Sequence, residues 1–366
     1  MSLTWGQYAW FSTWREHDSK NHEQTDIFVF DTLPRKPVDL RTSQKHVSME
    51  SHQRLNVEKH SQDWLEQWLV GLVDGDGCFS IDRHHKASNP VWNLVFKLSL
   101  KKTNMRALVK VKQILGAGEI KLTDKKSEMM TLSIRHRDIL EKRVFPIFQR
   151  YPLLSDKYYQ FVRVREISRL LSDTSLSDHE REERIQNLYE FKFSSISPVL
   201  ADLVSSLNFG SGYSCLLETP TSHLERSQLT KVMSLPWLSG FLEAEASFYI
   251  VKKDSQTGRF CHAFGLSQGG NRVLMEAIRS YLRIRAQVKK RTPKSFQCLK
   301  ESSQSFYSLE STNWRTLQGI RDLLIGNLVG IKSQEFRIWE RSMKFRGNWE
   351  KLEKIQHILR KFRKGK

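Results

Sequence analysis

The chain has 366 residues, 39% of them hydrophobic, with 20 Phe and 10 Trp, which is enough for two cores or one large pseudo-symmetric one. Its 59 Lys and Arg against 40 Asp and Glu leave a formal charge of +19, a surplus that points to nucleic acid as partner ahead of an anionic membrane surface. Four scattered cysteines (Cys78, Cys215, Cys261, Cys298) exclude a zinc knuckle or disulfide framework, and no apolar run reaches the length of a membrane helix. The N-terminus lacks the basic start and apolar stretch of a signal peptide, and residues 1–60 read as a polar, partly disordered extension. Residues 61–170 form a first unit: an apolar helix around Trp68, strands, a helix over Met105–Leu115 and a strand over Met130–Ile134. Residues 171–228 form a connector, helical over Asp178–Lys192 and then Ser/Gly-rich. Residues 229–345 form a second unit with a helix over Val273–Leu282 and a strand over Phe306–Leu309. Residues 346–366 read as a basic tail, a solvated chain or a loose backbone contact.

The two units repeat one another. Trp68-Leu-Val-Gly71-Leu-Val-Asp74-Gly75-Asp76-Gly77 returns as Trp237-Leu-Ser-Gly240-Phe-Leu-Glu243-Ala244-Glu245-Ala246. Phe96-Lys-Leu98-Ser99 returns as Phe264-Gly-Leu266-Ser267, and Pro152-Leu-Leu-Ser-Asp-Lys157 as Asn327-Leu-Val-Gly-Ile-Lys332. Period-two strands beside period-3.6 helices predict an α+β fold with antiparallel sheets.

The repeated motif carries the chemistry. Gly71 and Gly75 share a helix face, as do Gly240 and Ala244, and small residues there let two backbones pack side by side. The C-terminal ends of both helices, and their acids, then lie together. Carboxylates at a helix C-terminus oppose the macrodipole, and two such ends repel. A hard divalent cation resolves that conflict and suits phosphodiester hydrolysis.

With these residues in place, the chain resembles the double-motif LAGLIDADG homing endonucleases of organellar introns, over about residues 64–345. The resemblance implies two αββαββα domains related by a pseudo-two-fold, saddle-shaped antiparallel sheets lying in the DNA major groove, and a two-helix interface. It implies that Asp76 and Glu245 ligate Mg²⁺ or Mn²⁺, and that Asp74 and Glu243 belong to helix-end structure. Lys157 and Lys332 match a basic residue set near the scissile phosphates, and Gln268 matches a glutamine that orders water. Leu100 stands where the first half would often have that glutamine, and Ala246 where the second motif would usually have glycine.

Outward-facing strand residues would hold the DNA: Arg83, Lys97, Lys101, Lys121, Arg135 and Arg137 in the first half, with His84 and His85. In the second half the candidates are Lys252, Lys253, Arg259, Lys289, Lys290 and Arg291. The resulting expectation is a monomeric, Mg²⁺-dependent, site-specific endonuclease cutting double-stranded DNA to move its intron. The alternative is a maturase that binds host intron RNA. No membrane partner is expected. The motif surroundings look most like mitochondrial members, with the chloroplast as alternative.

Overall fold

In the Gln62–Asp76 segment, apolar residues occur on nearly every side, so the helix they form (α1) must be buried all round rather than along one stripe. The computed structural model describes residues 60–86, 89–123, 128–193, 196–205, 226–253, 258–291 and 306–364. The expected extension over residues 1–60 and the Ser/Gly-rich part of the connector lie almost wholly outside these residues.

After α1 the chain runs through β1 (Gly77–Lys86), β2 (Asn89–Lys101), α2 (Met105–Leu115), β3 (Glu119–Leu122) and β4 (Met129–Ile134). A helix then begins at α3 (Arg137–Ile139), passes a π-helical turn at Leu140–Val144, and resumes as α4 (Phe145–Arg150). Pro146 lacks an N–H for an ordinary helical bond just where the regular helix resumes. Next come α5 (Lys157–Ser172) and the connector helices α6 (Asp178–Glu190), α7 (Pro198–Ser205) and α8 (Arg226–Val232). The order then repeats: α9 (Leu235–Glu245), β5 (Ala246–Lys252), β6 (Phe260–Gly269), α10 (Arg272–Tyr281), β7 (Lys289–Arg291), β8 (Phe306–Ser311), α11 (Trp314–Leu324) and α12 (Lys332–Ser342). Both sheets are antiparallel, with strand orders β1-β2-β4-β3 and β5-β6-β8-β7. The α+β architecture of two αββαββα halves is therefore present, each half extended by helices at its end.

Register sets the faces of each sheet, because directly opposed residues point the same way. Phe79 pairs with Phe96 and Ile81 with Leu94, so Phe79, Ile81, Leu94, Phe96, Leu98 and Leu100 face the helices. The open face of the first sheet carries Cys78, Ser80, Asp82, Lys97, Ser99 and Lys101. In the second sheet Phe248, Ile250, His262, Phe264 and Leu266 face the helices, and Tyr249, Val251, Cys261, Gly265 and Glu310 face the open side.

The last segment corrects the expectation of a loose tail. Trp349–Lys364 is a helix, α13, with Leu352 and Leu359 buried. It lies along the edge strand β5, where Gln356 donates to the carbonyl of Ile250 at 2.7 Å and Arg363 to that of Phe248 at 2.6 Å. Glu335 of α12 accepts from the Phe248 N–H at 3.2 Å. Side chains thus occupy backbone groups that a further strand would otherwise pair. The physical reason is amphipathicity: apolar residues at helical spacing have somewhere to be buried, and the basic residues occupy the opposite side.

Candidate active site

The two motif helices meet back to back. A Cβ on Gly71 would run into the carbonyl oxygen of Trp237, and one on Gly240 into that of Trp68. A Cβ on Gly75 would strike the methyl of Ala244. These contacts are reciprocal, as a pseudo-two-fold requires, and they bring the C-terminal ends of α1 and α9 together.

At those ends the two acids of each motif behave differently. Asp74 is fully buried and accepts three hydrogen bonds: from the backbone N–H of Leu154 and of Ser155, both at 2.9 Å, and from the indole N–H of Trp237 at 2.8 Å. Burial pushes its carboxyl above the usual range, against the pull of those donors. Glu243 is equally buried and accepts from the N–H groups of Val329 and Lys332, each at 3.1 Å. Each of these acids thus binds the loop that starts the last helix of a half, and that helix opens with Lys157 or Lys332. Asn104 adds a staple between halves, accepting from the Ile331 N–H at 2.9 Å.

Asp76 and Glu245 close their helices and are only half-buried. Among the described residues no donor reaches either carboxylate. Burial raises the pKa of Asp76, while Lys157 and Lys332 pull it down. Glu245 is pushed up to about 8, first by burial and then by the charge of Asp76, with the same two lysines opposing. The four groups, one acid and one lysine from each half, therefore form one electrostatic cluster.

The lysines are held differently. Lys157 donates to the carbonyls of Val73, at 3.2 Å, and Gly75, so it neutralises the negative end of α1. Lys332 lies 3.5 Å from Glu335, which also accepts from Arg363 of α13 at 2.7 Å. Gln268 is buried near the end of β6, two residues past Leu266, the partner of Ala246. Leu100 occupies the matching register position in the first half, opposite Met130 as Gln268 is opposite Tyr307.

Register also sorts the DNA-facing candidates. Lys97, Lys101, Lys121 and Arg135 fall on the open side of the first sheet, and Lys253, Arg259, Lys289 and Arg291 on that of the second. Four candidates do not. Arg83 shares the covered face with Phe79 and Ile81, stacks 4.9 Å from the ring of Trp92 and pairs with Glu182 of α6 at 3.6 Å. Lys252 alternates with Ile250 onto the covered side, over the ring of Phe260 at 5.8 Å, and Lys290 likewise pairs with Tyr307. Arg137 starts a helix and pairs with Glu141 at 3.7 Å. In each case one step along a strand, or its end, reverses the side. The side chain of His85 lies outside the described set. On the open faces Asp82 already takes Lys97 and Arg135, at 3.6 and 3.2 Å, and Glu310 takes Arg291 at 2.8 Å.

The model of the LAGLIDADG endonuclease family matches residues 69–168. A protein of Schizosaccharomyces pombe named Probable intron-encoded endonuclease Cox1-I1b is 29% identical over 81% of this chain and 68% of its own. Probable intron-encoded endonuclease aI3 of Dictyostelium citrinum is 24% identical over 77% of this chain and 97% of its own. That of Debaryomyces hansenii is 26% identical over 65% of this chain, which spans only 33% of it. Among solved structures, the LAGLIDADG meganuclease I-AabMI bound to uncleaved DNA superposes with a TM-score of 0.58 at 20% identity, over 82% of this chain and 98% of its own. I-SmaMI bound to cleaved DNA gives 0.60 at 18% identity, over 80% and 95%. Residues 69–168 thus carry a LAGLIDADG endonuclease domain, and the whole chain shares the fold of these meganucleases.

Proposed function

We propose that this chain is an intron-encoded homing endonuclease that makes double-strand breaks at a specific DNA site, using Mg²⁺ or Mn²⁺ held between Asp76 and Glu245. One observation carries the reading. In each motif the first acid is saturated by hydrogen bonds, whereas the second meets its counterpart from the other half with no donor. Two repelling carboxylates with free oxygen lone pairs are the donor set a hard divalent cation takes. When bound, such a cation would activate water and stabilise the leaving oxygen of a phosphodiester. Lys157 and Lys332 would offset charge that develops on the phosphate, and Gln268 would orient water. The open sheet faces would lie against duplex DNA, with Lys101, Lys121, Lys253, Arg259 and Lys289 touching phosphate or base edges.

The DNA-bound state of the solved neighbours supports the partner. The pairing of both halves within one chain supports action as a monomer, with 61–170 and 229–345 as the two domains and 171–228 as connector. Relatives named as intron-encoded, among them one designated Cox1-I1b in a fission yeast, support an organellar, mitochondrial origin. A second reading, a maturase acting on host intron RNA, is favoured by Leu100, which removes a polar side chain from one half of the site. The test is incubation with DNA spanning the intron-less insertion site. Cutting of both strands with magnesium and none with a chelator is expected. Intact DNA under both conditions, with splicing of the host intron stimulated instead, would support the second reading.

A further inference from the structure

The helical side of the second half holds a cavity of about 990 Å³ where the end of α10 meets the start of α11. Arg226, Arg283, Arg285, Arg315 and Arg346 line it, and no Asp or Glu does. All five are exposed, and none forms an ion pair among the described residues. Five like charges around one concavity repel each other, and no acidic side chain of the lining offsets them.

Two of the five are held by rings. The guanidinium of Arg346 lies 4.5 Å from the centre of Trp314, and that of Arg226 lies 5.1 Å from Tyr281. Stacking fixes a guanidinium plane but leaves its N–H edge free, in the fork geometry that matches phosphate oxygens. Arg283 sits at φ 53°, in the left-handed region that non-glycine residues seldom occupy. The first turn of α11 also lines the cavity and adds backbone N–H groups and the positive end of a helix dipole.

The cavity is separate from the cleavage site. Trp314 packs edge-on against His262 at 6.1 Å, and His262 lies on the covered face of its sheet. The cavity therefore opens on the helical side, not on the open sheet faces, and shares no residue with the Asp76 and Glu245 cluster.

We propose that this cavity binds the phosphodiester backbone of a single-stranded nucleic acid. Five guanidiniums exceed what one phosphate monoester would satisfy, so consecutive phosphates suit it better than a free nucleotide. A concavity between helix ends follows the backbone of a flexible, bent strand more closely than that of a stiff duplex or the plane of a bilayer. RNA and DNA strands share this backbone chemistry, and the test separates them.

The full-length chain is titrated by fluorescence anisotropy with labelled RNA and DNA single strands of about 12 nucleotides and with a duplex. The comparison is with Arg283→Ala/Arg285→Ala/Arg315→Ala, whose thermal midpoint should match that of the parent because all three side chains are exposed. Single-strand affinity should fall at least tenfold, and the salt slope should fall by about 2, as expected for three lost phosphate contacts. Duplex affinity should change less than threefold. A control, Lys97→Ala/Lys101→Ala/Lys289→Ala, removes the same charge from the open faces and should show the reverse pattern. Loss on RNA alone, on DNA alone or on both supports the site and names its ligand. Unchanged single-strand affinity, or equal losses from the triple variant and the control, would overturn it. No readout involves cleavage, so this proposal and the endonuclease reading fail independently.

Discussion

Asp74 and Asp76 stand two residues apart and have opposite physical roles. Asp74 collects three donors from two distant parts of the chain. Asp74→Asn would set an amide N–H₂ against those donors and leave buried groups unsatisfied, a loss of about 2–4 kcal/mol by urea unfolding. Asp76→Asn should do the reverse in metal-free buffer, because it relieves repulsion with Glu245 and strands no donor. The expected change is a gain of about 1 kcal/mol. A destabilising Asp76→Asn would place that carboxylate in the fold rather than the chemistry. Glu245 supplies a pH signature. Its folded pKa is raised from 4.5 to about 8, so its contribution to metal-free stability is full below about pH 4.5 and is lost as pH rises through 8. Unfolding midpoints in chelator should therefore fall between about pH 4.5 and 8 and level off above, and Glu245→Gln should flatten that fall. Cation binding should release protons and tighten with pH up to about 8, which calorimetry in two buffers would detect.

At the scale of elements, the helix pair depends on bare backbone contact. Gly71→Ala or Gly240→Ala places a methyl on a carbonyl that cannot move without its helix, at a cost of about 3 kcal/mol or more. Equal melting temperatures for parent and variant would contradict that packing. The helix α13 covers the edge of β5, so truncation after Asn348 should expose that edge and lower the midpoint sharply, with concentration-dependent aggregation. This helix was legible in principle: Leu352, Ile355 and Leu359 fall at helical spacing, but the density of Lys and Arg around them favours reading a solvated tail. The motif helices and alternating strands were open to reading because periodicity and repetition are local properties. The face of Arg83 was not, because it follows from register against Trp92 and from α6 lying over that side. The partners of Asp74 were equally hidden, since Leu154 and Ser155 lie 80 and 81 residues away.

The whole molecule is a near-symmetric body with asymmetric fittings. The two halves share topology and motif, yet Lys157 caps α1 while Lys332 is shared with Glu335, and a buried leucine in one half holds the register position that a glutamine holds in the other. Part of the basic surplus lies on the open sheet faces and part lines an arginine cavity on the helical side. The central claim is that one acid from each half makes a single cation-dependent cutting centre. Its most direct test is cleavage and binding of target DNA by Asp76→Asn and Glu245→Gln in magnesium. Each should lower cleavage by about a thousandfold or more, with binding held within a few-fold of the parent. Full cleavage by both variants would contradict the account.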